Sequence, residues 1–215
     1  MLFRSLPVMT MSYTLVQTNS AVTQHTYTLE KTRQEMKQMK SLFQRYQHSP
    51  NDSWEWNYAQ FSDIEDMYVM AKQHFEHEMS GIFTINDAGY KYALDMATSH
   101  QRHNLAHEQI LVCRDKTTGQ LLAYSWIGRG HRTPYSNDEM CEARMMHVDL
   151  SVSGTTRIKL IVQAMNYWIT WCESCHIPVL VSSSIREDQE TFLKLHERLG
   201  FTVRGGIAYL RVIPK

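Results

Sequence analysis

The chain has 215 residues, of which 43% are apolar and 20% are charged, so it suits one large domain with a hydrophobic core and excludes a disordered or fibrous protein. Lysine plus arginine number 22 and aspartate plus glutamate number 22, which gives a net charge of zero. Such a chain lacks the positive charge that non-specific binding to nucleic acid or to a membrane surface requires. No apolar run approaches the roughly 18–20 residues that span a bilayer. Four cysteines make no disulfide scaffold and the first residues make no secretory signal, so we expect a cytoplasmic location.

A polar, turn-rich stretch over 49–52 divides the chain into an arm, 1–50, and a domain, 51–215. The first part of the arm is polar and has no sustained period, and Met9 and Met11 leave open whether residues 1–10 belong to the native start. Apolar residues then recur at heptad spacing from Leu29 to His48. This spacing predicts a helix that packs against the domain or against a partner chain.

The first half of the domain is predicted to contain a strand, two helices and a β-hairpin. Ser62 and Glu65 have the spacing of a capping box, which marks the start of the first helix. Gly119 lies in a polar turn between two apolar segments, a pattern typical of a hairpin. The predicted elements are a strand over 56–61, a helix that begins after Ser62, a helix over 87–105, strands over 109–114 and 121–127, and a polar loop over 129–139.

The second half is predicted to alternate strands with helices. Gly200 ends the last helix, since glycine readily takes the left-handed conformation found after helix ends. The predicted elements are a strand over 142–150, a long helix over 155–175, a strand over 178–183, a helix over 187–199, and one or two strands over 201–212. Antiparallel strands first and a crossover helix later predict an α+β or mixed α/β fold, with a mostly antiparallel twisted sheet flanked by helices.

This order of elements, with a helix over 191–199 that runs into Gly200 and Phe201, resembles the GNAT superfamily of N-acetyltransferases over residues 56–212. The resemblance implies a GNAT-like fold and transfer of an acetyl group from acetyl-CoA to an amine by direct attack. The stretch over 148–210 is also similar to GNAT-like proteins of tailed bacteriophages, some of which lie among structural genes.

The resemblance also implies a site for acetyl-CoA. In the family, a loop after the strand equivalent to 142–150 holds the pyrophosphate with backbone amides at a helix N-terminus, where the helix dipole attracts phosphate. Ser153 stands in place of an Arg or Gln, and Thr156 and Ile158 replace two small residues. A plain helix start capped by Ser153 or Thr155 would explain the same residues. The implied cofactor-binding residues are Ser153, Gly154, Thr155, Thr156, Arg157 and Ile158, with the backbone of Met146, His147 and Val148 for the pantetheine arm.

Two residues occupy the places of the family's catalytic groups. Glu142 takes the place of a base that receives the amine proton, and His196 takes that of a tyrosine that protonates the leaving thiolate. Arg144, two residues further along the strand, is expected to lie on the same face and to lower the pKa of Glu142. The alternatives are a solvated carboxylate at position 142 and a packed, hydrogen-bonded histidine at position 196.

Three further patterns are given structural interpretations. Residues 172–176 spell the haem-attachment pattern Cys-x-x-Cys-His, but attachment of that kind needs an export signal, so we expect no haem. The histidines at 100, 103 and 107 fall near one helix face and those at 74 and 77 form another close pair, but eleven histidines make chance clusters common, so we expect no metal. The run Ser182-Ser183-Ser184 lacks the glycine-flanked elbow of a serine nucleophile, so we expect a strand-to-loop turn.

The long helix carries a second apolar stripe that includes Leu160, Tyr167 and Trp171. The stripe and the arm predict a protein partner or a homo-oligomer. Two hypotheses follow: an acetyltransferase whose acceptor amine has no sequence signature, or a catalytically degenerate GNAT-fold assembly protein. If the gene belongs to a phage, the second would be a virion component, located in the host cytoplasm or in the virion. Neither includes direct binding to nucleic acid or a membrane span.

Overall fold

A computed structural model of the chain describes residues 47–79, 82–183 and 189–204. The helix predicted from Leu29 to His48, most of the arm 1–50 and most of the strands predicted over 201–212 lie outside these residues. The domain division at residue 50 therefore stays a prediction.

The described residues form one five-stranded sheet with helices on both faces. The strands follow chain order across the sheet; the first three pairings are antiparallel, and that of the last two strands is parallel. This arrangement confirms the predicted mixed α/β class with a mostly antiparallel sheet. The elements are β1 (Trp54–Tyr58), a 3-10 turn (Phe61–Asp63), α1 (Ile64–Glu78), α2 (Asp87–His103), β2 (Glu108–Asp115), β3 (Leu121–Arg132), β4 (Glu139–Val148), α3 (Gly154–Ser174), β5 (Val179–Ser182) and α4 (Gln189–Arg198).

Two local predictions were wrong. The capping box is formed by Gln60 and Asp63 and not by the predicted Ser62 and Glu65. It lies at the start of the 3-10 turn that leads into α1, and the Asp63 carboxylate accepts from the Gln60 amide at 2.7 Å. The loop predicted over 129–139 is shorter than expected, since Arg132 pairs with Glu139 and only 133–138 separate β3 from β4. The side chains at this end of β3 and β4 are mostly polar, so the sequence shows no apolar alternation that would indicate a strand there.

The core lies on both sides of the sheet. Alternation along β3 sends Tyr124 and Trp126 toward α1 and α2, whereas Ala123 and, after an irregularity, Ile127 face α3 and α4. The largest fully buried side chains include Met67, Leu94, Ile110, Tyr124, Ile127, Leu160, Met165, Trp168 and Leu199.

The second apolar stripe of α3 packs inside the chain. Leu160 is buried against β2 and β3, and the indole of Trp171, also buried, donates to the Leu105 carbonyl at 2.8 Å. Tyr167 is half-buried beside the Trp56 ring, 5.8 Å away. Leu160 and Trp171 are therefore unavailable to a partner chain, which corrects the prediction that this stripe forms an interface.

Two irregularities of β4 shape its edge. Met145 pairs with Trp126 and Ala143 with Ile127, so Arg144 is the extra residue of a β-bulge. On the other edge, β5 pairs with β4 only as far as Ala143, opposite Ser182. The last part of β4, 144–148, therefore has no strand partner at this edge among the described residues.

Candidate functional site

A cavity of about 490 Å³ lies where β4 extends beyond the end of β5. One side is formed by α1, α2 and the segment between them, the floor by residues 143–148 of β4, and the far side by Ser182, Ser183 and Phe192. Leu150 and Arg157 line the end near the start of α3, and Ile161 and Trp168 line the cavity further along this helix. The cavity thus reaches from the parting strands to the predicted phosphate loop.

The predicted phosphate loop is partly closed by the chain itself. Ser153 is the N-cap of α3, and its hydroxyl accepts from the Thr156 amide at 3.2 Å and lies 2.9 Å from the Thr156 hydroxyl. The amides of Gly154 and Thr155 donate to no acceptor within the described parts of the chain. A Cβ at Gly154 would meet no atom within 4 Å, so this turn is open. Two amides of the first turn therefore remain for a ligand.

Arg157 and Ile158 differ in their relation to the cavity. Arg157 lines it; one guanidinium nitrogen donates to the Leu150 carbonyl at 2.9 Å, and its buried Nε has no acceptor in the described chain. Ile158 is 44% exposed and is not among the described residues of the wall. The branched side chain that replaces a small residue in the motif thus leaves the cavity open.

The predicted pantetheine-binding residues Met146, His147 and Val148 all line the cavity. The Val148 carbonyl accepts a hydrogen bond from Nε2 of His74, a buried residue of α1, at 3.0 Å. The rings of His74 and His147 lie 4.8 Å apart. The sequence suggested only the backbone of His147, but the structure also brings two imidazoles together at the wall.

Two tyrosines continue this polar group. The Tyr124 ring lies 5.1 Å from that of His147, and its hydroxyl is 2.6 Å from that of Tyr90. Burial raises the pKa of Tyr90 to about 12 and that of Tyr124 well above its usual value, so both phenols are neutral at physiological pH. No sequence motif indicates this group, because its members come from α1, α2, β3 and β4.

The bulge residue Arg144 joins a second polar group. Its guanidinium donates to the carboxylate of Glu108, which is 3% exposed, and lies over the Trp126 ring at 5.2 Å. His100 contacts the other Glu108 oxygen at 3.0 Å. The bulge breaks the two-residue alternation on which the expected pairing of Arg144 with Glu142 rested. A Cβ at Gly128 would lie 2.8 Å from the guanidinium carbon, so this glycine leaves room for Arg144.

The two predicted catalytic residues lie apart from the described cavity wall. Glu142 is a half-buried residue of β4, opposite Gly128 and Val181. His196 is 2% exposed in α4, and its Nε2 lies 2.9 Å from the hydroxyl of Ser182, which does line the cavity. The structure therefore brings His196 to the cavity through two wall residues, Ser182 and Phe192, and the catalytic roles of Glu142 and His196 stay predictions.

In the Cys-x-x-Cys-His pattern, Cys172 lies in the interior on the α3 side of the sheet and Cys175 is half-buried. Cys172 is buried, as is Cys141, with which it shares a hydrogen bond that raises the pKa of the Cys141 thiol. Within the described residues, no three or more His, Cys, Asp or Glu side chains are grouped to hold a metal ion. In the same residues, every helix is too short or too polar to cross a membrane.

Comparison with known proteins identifies the fold. No protein-family model matches the sequence, and no curated protein is similar to it in sequence. The structure is similar to glucosamine-6-phosphate N-acetyltransferase from Arabidopsis thaliana, with a TM-score of 0.55 and 12% identity over 75% of this chain and 100% of that one. It is also similar to an aminoglycoside 6′-N-acetyltransferase from Acinetobacter baumannii, with a TM-score of 0.55 and 11% identity over 75% of this chain and 99% of that one.

A third similar structure is an aminoglycoside N-acetyltransferase in complex with CoA, with a TM-score of 0.54 and 12% identity over 76% of this chain and 98% of that one. These neighbours are acetyltransferases of the GNAT type, and the similarity covers nearly all of each of them. The chain described here therefore has the GNAT fold.

Proposed function

We propose that the protein is an acyltransferase that moves an acetyl group from acetyl-CoA to an amine by direct attack. The observation that carries this proposal is the cavity, which runs from the place where β4 parts from β5 to Leu150 and Arg157. Arg157 belongs to the first turns of α3, whose Gly154 and Thr155 amides have no acceptor in the described parts of the chain. The α3 end carries the Arg157 guanidinium and lies next to the two free amides, whereas the other end carries the Ser182 hydroxyl. The imidazoles of His74 and His147 lie beside Val148.

The α3 end suits a diphosphate. The Gly154 and Thr155 amides lie at the positive end of the helix dipole, and Arg157 adds a cation with an unused N–H. The unpaired edge of β4 over 144–148 offers backbone groups to an extended, amide-containing arm, as an added strand would use them. Bound acetyl-CoA would supply the thioester within the cavity.

Proton transfer needs groups at the wall. The amine must lose a proton as it attacks, and a neutral imidazole serves this purpose near neutral pH. We propose that His147 receives this proton, since its ring belongs to the wall residues and packs against His74 and Tyr124. Glu142 remains the alternative base.

The second candidate function, a degenerate GNAT-fold assembly protein, is favoured by two hydrogen bonds. Ser153 occupies the Thr156 amide, and His74 occupies the Val148 carbonyl. Both are backbone groups that a bound cosubstrate would use. A protein that no longer binds acetyl-CoA would keep such internal bonds at no cost.

Thermal unfolding with and without millimolar acetyl-CoA tests the proposal. A ligand present at 100 times its Kd stabilises the folded state by about 2.7 kcal/mol, which raises the melting temperature. Loss of a charge-assisted hydrogen bond in Arg157→Met should weaken binding about 10- to 100-fold. The matched control is Arg102→Met, at an exposed position of α2, which should bind as the unmodified protein does.

Acetylation of a panel of primary amines would then be measured with acetyl-CoA as donor. The absence of any melting shift, together with the absence of turnover, would reject the acyltransferase and leave the assembly protein. A shift that Arg157→Met and Arg102→Met reduce equally would reject the proposed diphosphate site alone.

A further inference from the structure

Ser182 and His196 form a hydrogen-bonded pair at the end of β5. The Ser182 hydroxyl and Nε2 of His196 are 2.9 Å apart, and Nδ1 of the same ring lies 2.9 Å from the Phe192 carbonyl. Ser182 lines the cavity, whereas His196 is buried. A hydroxyl at a cavity wall, an imidazole behind it and a third group that orients the imidazole are the parts of an activated serine nucleophile.

The direction of these bonds follows from the Phe192 carbonyl. A carbonyl oxygen can only accept, so Nδ1 of His196 must carry a proton. In the neutral ring Nε2 then has a lone pair, and the Ser182 hydroxyl must donate to it. The pair is therefore arranged to withdraw a proton from Ser182, which is the opposite of the proton donation expected from His196 in the sequence.

The surroundings keep the ring in this state. Phe192 and Phe201 lie against it, with ring centroids 4.3 and 4.9 Å away. Burial lowers the pKa of His196 below its usual value of 6.5, although the bond to the Phe192 carbonyl acts in the other direction. At neutral pH the imidazole is therefore uncharged and able to act as a base.

We propose that Ser182 is a nucleophile that accepts an acyl group, with His196 as its base, and that the protein hydrolyses small acyl thioesters and activated esters. The Ser182 oxygen attacks the carbonyl carbon while its proton passes to Nε2 of His196. The carbon–sulfur or carbon–oxygen bond breaks, and the same proton goes to the leaving group. Water then attacks the acyl-serine and gives a proton to His196, which returns it to the Ser182 oxygen as the acid is released.

This activity goes beyond amine acetylation and shares only the cavity with it. It needs no amine, and a small ester needs none of the proposed diphosphate contacts of Arg157. A hydroxyl adjacent in sequence, that of Ser183, also belongs to a wall residue. Ser183 therefore provides a matched control for Ser182.

The test is pre-steady-state mixing with p-nitrophenyl acetate. We expect a burst of p-nitrophenolate of about one equivalent, and peptide mapping of acid-quenched protein should place one acetyl group on Ser182. Ser182→Ala should remove the burst and the modification, Ser183→Ala should retain both, and His196→Gln should slow acylation about 100-fold or more. Melting temperatures would establish that each variant is folded.

Mapping on the unmodified protein decides the matter even where a variant fails to fold. An acetyl group on Ser182 supports the proposal, whereas its absence at saturating ester, or equal acetylation of folded Ser182→Ala, overturns it. The outcome is separable from that of the acyltransferase proposal. A burst with no change of melting temperature on addition of acetyl-CoA would support the Ser182 nucleophile and reject acetyl-CoA binding. A change of melting temperature with no burst would support acetyl-CoA binding and reject the Ser182 nucleophile.

Discussion

The two ends of the cavity obtain their polar groups in different ways. At the α3 end, every group comes from one continuous segment, 149–157, which also satisfies part of its own hydrogen bonding through the Ser153 cap. At the other end, Arg144, Ser182 and His196 come from three separate elements, β4, β5 and α4. Near Val148, His74 of α1 and His147 of β4 are likewise brought together by packing. The first end depends on local sequence, and the second depends on the packing of the whole sheet.

The largest expected effect separates two arginines that both line the cavity. Arg144→Met should lower the free energy of unfolding by about 3 kcal/mol, because it removes the guanidinium partner of the buried Glu108 carboxylate and leaves only the hydrogen bond to His100 among the contacts described above. Arg157→Met removes a bond to the exposed Leu150 carbonyl and should cost about 1 kcal/mol or less. Urea unfolding of both variants measures the difference. Equal losses would show that the two ends are held together in the same way.

An intermediate effect concerns the cap of α3. Ser153→Ala should cost about 1 kcal/mol of stability, because the Thr156 amide loses its acceptor. The same amide becomes available to a diphosphate, so affinity for acetyl-CoA should be maintained or increased. Ser151→Ala, at an exposed position of the same loop, is the control and should change stability by less than about 0.5 kcal/mol. Weaker acetyl-CoA binding in Ser153→Ala would place the serine itself among the ligand contacts.

The smallest effect is a pH dependence confined to the β5–α4 end. In the unfolded chain His196 takes up a proton near its usual pKa of 6.5, whereas in the folded protein burial lowers this pKa. The unfolded state therefore binds more protons below pH 6.5. The stability contributed by the neutral ring is complete above that value and is lost as the pH falls.

Unfolding free energies measured across this range should show a smaller acid loss for His196→Gln than for the unmodified protein. Ser153→Ala, which removes no titrating group, should keep the full dependence and serves as the control. Parallel pH profiles for His196→Gln and the unmodified protein would show that this ring does not titrate differently on folding.

The order of elements could be predicted from the sequence because turns and helix ends have local signals. Gly200 has a φ of +85° and the Phe201 amide donates to the His196 carbonyl at 3.0 Å, so the predicted helix end is confirmed. The position of residues 153–158 at the start of α3 could be predicted for the same reason, because it too depends on local sequence. The features that the sequence did not predict depend on the register of the strands and on how the elements pack. The bulge at Arg144, the approach of His74 to Val148 and the pairing of Ser182 with His196 follow from how strands align, and no short motif specifies that alignment.

The brevity of β5, which has only four residues, has a consequence for how the domain could evolve. Each further residue of β5 that paired with β4 would form hydrogen bonds with the backbone of 144–148 and narrow the gap between the two strands. A longer β5 would pair with 144–148 and close the gap between the two strands, and Ser183, which lines the cavity, would become part of the strand. The length of β5 thus determines whether a ligand can reach the edge of β4.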